Sequence, residues 1–380
     1  MESSKSLRPW ITVAMLLSHA ACLACTAVRT SEPAPAVVPL PSATLRPEAT
    51  IERIAFGSCY VPQFEEPHIW RAIETREPDV LLLLGDNVYQ TEEKNQPELR
   101  ELREGYLALA RDEPFARLRT STPVLVTWDD HDYGFNDAGG DWPHKWRSEA
   151  LFEEVWAVPQ EDPRRSRPGV HHSAVIGPKG RRVHLLMLDT RFFRSPLKRN
   201  SEGDVVPDAD SEKTLLGEEQ WAWLEQELRR PANLRIVASS IQVLTDAYTG
   251  ERWGALPRER RRLFSLIASS NAGGVVFVSG DRHLGAIYRD DEVGPYPMIE
   301  VTSSSLNFPI PEEAVATWDE PDPRRLGDLY FSVNFGVVEL DWQAGLVQLG
   351  LRNGDGTMVH SLTVCLAELQ PDRNKPRNQQ

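Results

Sequence analysis

The chain has 380 residues, 41% hydrophobic and 26% charged, with a formal net charge of −14. That length and apolar share allow one large domain with its own core and exclude a low-complexity or disordered chain. No nucleic-acid partner is expected, because phosphate-backbone binding needs clustered Lys and Arg, although bound cations can reverse an acidic field locally.

In chain order, Lys5 and Arg8 precede an apolar run at 10–17, then small residues and Cys-Leu-Ala-Cys at 22–25. This is the pattern of a secretory signal over 1–25, too short to span a membrane. Cys25 stands where bacterial lipoproteins place their lipid-modified cysteine, with Cys22 in the usual aliphatic position. The expected location is therefore outside the cytoplasmic membrane, periplasmic or held by a lipid anchor. An ordinary secreted protein cleaved near the same place is the alternative. The leader lacks an Arg-Arg pair. Residues 26–50 are rich in Pro, Ala, Ser and Thr and read as an extended linker without a core.

The folded body is expected over 51–365, with a polar tail at 366–380. Strand 51–57 is followed by helix 65–76, strand 80–84, helix 97–111 and strand 123–127. A helical pattern covers 143–157, and strands at 170–176 and 182–188 straddle Gly177 and Gly180 as a hairpin. Helix 215–230 puts Trp221, Leu224 and Leu228 on one face. Strand 234–239, helix 258–268, a strand from 275 and further strands to 365 complete an α/β chain.

Four of the apolar runs end in metal-ligand residue types: AFGSC at 55–59, VLLLLGDNVY at 80–89, VLVTWDDHD at 124–132 and VVFVSGDRH at 275–283. Polar groups at the ends of buried strands are where layered α/β folds put their chemistry. The Asp86 carboxylate can bridge two cations, and Tyr89 can reach one as a phenolate; a turn with an ordinary buried Tyr is the bland alternative. Cys59 is either a buried thiol, half of a disulfide with Cys365, or a ligand. A thiolate beside a phenolate and carboxylates suits ferric iron better than magnesium. Asp129, Asp130 and Asp132 repel one another unless a cation binds them. Asp130 is read as a metal ligand. His131 is read as the group that bonds a phosphoryl oxygen or protonates the leaving oxygen, with Asp132 orienting it. Asp281 and His283 offer one ligand to each of two metals. Arg282 pairs with either a phosphate or a carboxylate. His171 and His172 read as surface residues, and His184 as a satisfied core residue. The pattern as a whole predicts a metal-dependent phosphoester hydrolase that attacks in line with a metal-held hydroxide.

These motifs, with LDTR at 188–191, GEEQWAWL at 217–224 and TSSS at 302–305, resemble the alkaline phosphatase D (PhoD-like) family of metallophosphoesterases. The resemblance implies a four-layer αββα sandwich, two central mixed β-sheets flanked by helices. It implies iron with calcium or another divalent metal. By position, Cys59, Asp86, Tyr89 and His283 resemble the iron ligands, and Asp86, Asp130 and Asp281 the divalent site. His131 matches the catalytic histidine. Where the wider superfamily has a further histidine ligand, the strand here offers Gln242 as a substitute; Gln242 and Arg282 are the substrate-side candidates. The rivals are a secreted phospholipase or nuclease using the same metals, and a lipoprotein that binds metal or phosphate without turnover.

Overall fold

The apolar run at 80–84 has no polar face, so both of its sides need cover. A computed structural model describes residues 34–64, 68–90, 97–316, 318 and 320–371. In it β2 (Val80–Leu84) is buried throughout, with Val80, Leu82 and Leu84 in one core and Leu81 and Leu83 in another. It lies parallel to β1 (Arg53–Gly57) on one side and β3 (Val124–Thr127) on the other. The strands β10 (Asn334–Asp341), β11 (Leu346–Asn353) and β12 (Met358–Cys365) add an antiparallel half, giving a six-stranded sheet ordered β12-β11-β10-β1-β2-β3.

The second sheet holds β4 (His172–Ile176), β5 (Val183–Met187), β6 (Leu234–Ser239), β7 (Val275–Ser279), β8 (Gly285–Asp290) and β9 (Met298–Ser303). Its order is β4-β5-β6-β7-β9-β8, parallel through the middle and antiparallel at both edges. The core between the sheets joins Phe56, Leu82 and Leu349 to Leu185, Ile236 and Val301. On the outside of the first sheet, Leu81, Leu83 and Val126 meet α1 (His68–Glu74), α2 (Arg100–Ala110), α3 (Glu113–Ser121) and α5 (Lys145–Val155); the short α4 (Asp130–Tyr133) follows β3. Leu224 and Leu228 of α6 (Gly217–Leu228), with Leu263 and Ile267 of α7 (Pro257–Ser269), pack on the second sheet. The architecture is the expected αββα sandwich of two mixed sheets.

Strand register positions the site. Gly57 pairs with Leu83, and Leu84 with Thr127, so β1, β2 and β3 end together. In the second sheet Ser239 pairs with Ser279, and Ser279 with Thr302. The turns that follow these strand ends carry the chemistry.

Several expectations need correcting. The segment read as a free linker is docked from Leu40, which is 2% exposed and donates its amide to the Val155 carbonyl at 2.6 Å. Ser42 Oγ accepts from the Val124 amide at 3.1 Å, and the Pro47 carbonyl accepts from Gly177 at 2.7 Å. A stretch with no periodicity of its own can still satisfy its backbone on a neighbouring domain. The folded body also continues past 365, since Leu369 is buried and its carbonyl accepts from Gly274 at 2.6 Å. His171, expected at the surface, is buried against Trp223 and Phe193 with the Arg167 guanidinium on it. His184 is buried as expected, its Nε2 2.9 Å from Glu227 Oε2. The added helix α3 has a legible start, Asp112 accepting from the Phe115 amide at 3.0 Å with Pro114 in its first turn. Cys59 and Cys365 are both free, which removes the disulfide. The leader over 1–25 with Cys22 and Cys25, the linker up to 33, the first residues of the helix expected from 65 and the end of the tail at 372–380 lie outside the described residues. Among the described residues no helix is long and apolar enough to cross a membrane.

Candidate metal centre

Three of the four strand ends turn sharply. Cys59, Asp86, Asp281 and His283 have φ of 60°, 50°, 71° and 54°, left-handed values that cost a non-glycine residue about 1–2 kcal/mol each. Gly85 has φ +105°, and a Cβ there would stand 2.4 Å from the Asp129 amide nitrogen. The turns after β2 and β3 therefore touch, and glycine alone lets them.

Asp132 ties those turns together. Its oxygens accept from the amides of Asp86 at 3.1 Å, Asn87 at 3.2 Å and Asp129 at 2.6 Å, and from the Asn87 side chain. No hydrogen bond joins it to the ring of His131, which it was expected to orient. The sequence misses this role because backbone amides are donors that residue type does not encode.

Asp86 lies at the middle. Its Oδ2 accepts from the Tyr89 hydroxyl at 2.7 Å and lies 3.7 Å from Cys59 Sγ; its Oδ1 accepts from the His131 amide at 3.2 Å. His283 Nε2 is 3.3 Å from the same Tyr89 hydroxyl. Ligand atoms lie within 4.8 Å of one another in each of four groups: Cys59, Asp86 and His283; Asp86, Asp130 and His131; Asp129, Asp130 and Asp281; and Asp130, Asp137 and Glu251. Asp86 and Asp130 belong to more than one group, as bridging carboxylates between neighbouring cations would.

The donor set fits a metal. Asp129 Oδ2, Asp130 Oδ1 and Asp281 Oδ2 are buried and accept no hydrogen bond from the described residues. A buried acceptor without a donor costs about 1–3 kcal/mol, more when charged, and a cation removes that cost. With protein groups alone, burial and then Asp130 push the Asp86 acid well up, and burial and then Asp129 do the same to Asp281. Burial and the neighbouring Asp86 also raise the Cys59 thiol and the Tyr89 phenol. Burial pushes Asp130 up too, but His131, Arg191 and the Asp137 amide outweigh it and hold that acid down at about 2. Burial lowers His283 to about 4, so its ring is neutral and able to ligate.

The sequence model of the family described as PhoD-like phosphatase matches residues 54–349. The chain belongs to the PhoD-like phosphatase family. It is 26% identical over 275 residues to alkaline phosphatase D of Bacillus subtilis strain 168. That alignment covers 62% of this chain and 47% of the relative, so the chain matches about half of the relative's length. A solved structure titled "Structure of PhoD" superposes with a TM-score of 0.62 at 19% identity, over 85% of this chain and 69% of that one. A second, "GAP50 the anchor in the inner membrane complex of Plasmodium", gives 0.53 at 11% identity over 86% and 91%. At those identities the two likenesses speak for the fold alone.

In this PhoD-like chain the motifs beyond the strand ends also acquire places. Arg191, from the LDTR stretch, is buried and donates from Nε to Asp129 Oδ1 at 2.6 Å, while its Nη1 meets Glu251 at 2.5 Å. Arg194 Nε lies 2.7 Å from Glu251 Oε1. Ser240 Oγ also donates to Asp129, at 2.6 Å. Asp129, Arg191 and Glu251 are the residues the sequence reading left without roles. Of the two partners left open for Arg282, the structure provides the carboxylate, Glu320 at 2.6 Å. Gln242 is buried and donates to Thr302 at 2.9 Å and Tyr288 at 3.3 Å, and its Oε1 accepts from Arg282.

Proposed function

We propose that the centre hydrolyses phosphoesters, monoesters and diesters, by in-line attack of water on phosphorus. The observation that carries this reading is the convergence of Cys59, Asp86, Tyr89, Asp130, Asp281 and His283, scattered over the sequence, around the two shared carboxylates Asp86 and Asp130. Cys59, Asp86, Tyr89 and His283 would hold ferric iron, whose charge matches a thiolate and a phenolate; Asp86, Asp130 and Asp281 would hold calcium or another divalent ion. When bound, such cations lower the pKa of water and offset the negative charge that builds on the phosphoryl oxygens.

The chain's own contribution is positioning and proton transfer. The His131 backbone is fixed by the hydrogen bond its amide donates to Asp86, and its ring lies tilted against Tyr89 with centroids 4.6 Å apart. Its Nδ1 is buried with no partner among the described residues, leaving the partly exposed ring available to bond a non-bridging oxygen or protonate the leaving one. Asp132 keeps the two turns in register, and Arg191 holds the Asp129 carboxyl in place beside the centre. The reading is tested with a nitrophenyl monoester and diester pair and metal analysis. D86N and D130N, shown to be folded, should lose at least about a hundredfold in turnover; full retention overturns the mechanism.

The leader pattern supports a location for this chemistry outside the cytoplasmic membrane. Cys25 would carry the lipid, and labelled fatty acid should enter the wild-type protein but not C25S.

A further inference from the structure

Beside the metal centre stands an aromatic wall. The Phe308 ring meets Tyr89 edge-on with centroids 5.1 Å apart and His283 edge-on at 4.7 Å. Phe64 packs edge-on against Phe308 at 5.4 Å and is itself 46% exposed. Rings thus run without a break from two candidate ligands out to solvent.

The wall is built rather than loose. The Val61 amide donates to Asn307 Oδ1 at 2.7 Å, and Asn307 Nδ2 donates back to the Val61 carbonyl at 2.9 Å. The Leu306 amide reaches the Ser58 carbonyl at 3.0 Å, and the Phe64 amide closes a turn on Val61 at 3.0 Å. The two segments that present the rings are therefore clamped to each other and to the strand end that carries Cys59. A large ring left half exposed on a clamped backbone beside a polar centre, and continuous with rings that reach two candidate ligands, is placed to meet a ligand.

The charged side chains near the centre point the same way. Arg191 is closed by Asp129 and Glu251, Arg194 by Glu251, Arg199 by Asp137 and Arg282 by Glu320. A leaving group with charges of its own finds none of these four guanidinium groups free.

We infer that Phe64 and Phe308 form a specificity wall that selects phosphoesters whose organic substituent is apolar, aryl or alkyl, over those with polyol or further anionic substituents. This rests on the hydrolytic reading above and names its substrate class. The scissile phosphate sits at the metal centre, and the substituent lies along Phe308 and under Phe64.

The test compares metal-loaded wild type, Phe64→Ala and Phe64→Trp. Competitive binding of phenylphosphonate and methylphosphonate isolates the ring without any turnover, and kcat/KM for a phenyl and a glyceryl phosphodiester gives the kinetic counterpart. Phenylphosphonate should bind wild type more tightly than methylphosphonate. Phe64→Ala should shrink the phenyl-to-methyl affinity ratio and the phenyl-to-glyceryl kcat/KM ratio by about fivefold each, and Phe64→Trp should restore both. Ratios that do not respond to Phe64 in an enzyme that turns over both esters overturn the wall and leave the hydrolytic reading standing. A loaded wild type that hydrolyses neither ester overturns both.

Discussion

His283 donates from Nδ1 to the Phe308 carbonyl at 2.6 Å. A carbonyl only accepts, so the proton is on Nδ1 and the lone pair of Nε2 faces the Tyr89 hydroxyl and the Asp86 group. The ring is thereby held in the tautomer a metal needs. His283→Ala should lower iron affinity by more than roughly a hundredfold, measured by metal content after dialysis. Tyr89→Phe should keep part of the iron but lose the visible absorption band expected of a ferric phenolate. An unchanged spectrum would remove Tyr89 from the ligand set.

Asp130 and Asp132 are two residues apart and should fail differently. Asp130 has a buried oxygen with no donor and belongs to three of the ligand groups, so Asp130→Asn should reduce metal content and turnover with little loss of stability. Asp132 accepts three backbone amides, and Asp132→Ala leaves them buried and unpaired. That variant should lose about 3 kcal/mol or more in denaturant unfolding, with the pH profile of any residual activity unmoved. A shifted profile would instead restore the role of Asp132 in orienting His131.

Arg282 lies between two candidate ligands, buried against Glu320 and under the Tyr248 ring. Removing Glu320 strands a charge beside the turn that presents Asp281 and His283. Glu320→Ala should cost about 3–5 kcal/mol, while Arg282→Met with Glu320→Leu should recover most of that in stability. A double-mutant cycle in chemical denaturation checks this, and no coupling would mean the pair is incidental.

Glu149, on α5, is buried and accepts from the Gly169 amide. Burial, aided by Asp189, pushes its acid up to about 8 from an ordinary value of 4.5. A raised acid favours the protonated fold, so its stabilising contribution is complete below about 4.5 and is lost as pH rises through about 8. Between those limits Tm of the wild type should fall more steeply than that of Glu149→Gln, by roughly 2–5 °C across the window. Parallel curves would show that the carboxyl is already ionised in the fold.

Residue type alone determined a good deal of this protein. Continuous apolar runs such as 80–84 fixed strands buried on both faces, because no side of such a run tolerates water. The ligand types at their ends marked the centre, since carboxylates, a thiol and a histidine are rarely placed beside buried strands without a charge to bind. Only the tertiary structure decided what each neighbour does. The tautomer of His283 depends on a carbonyl 25 positions away, the role of Asp132 on amides in the turn after another strand, and the partner of Arg191 on a carboxylate 62 positions earlier. Backbone donors and acceptors carry no signature in the sequence, and a buried charge takes whichever partner the packing brings within reach.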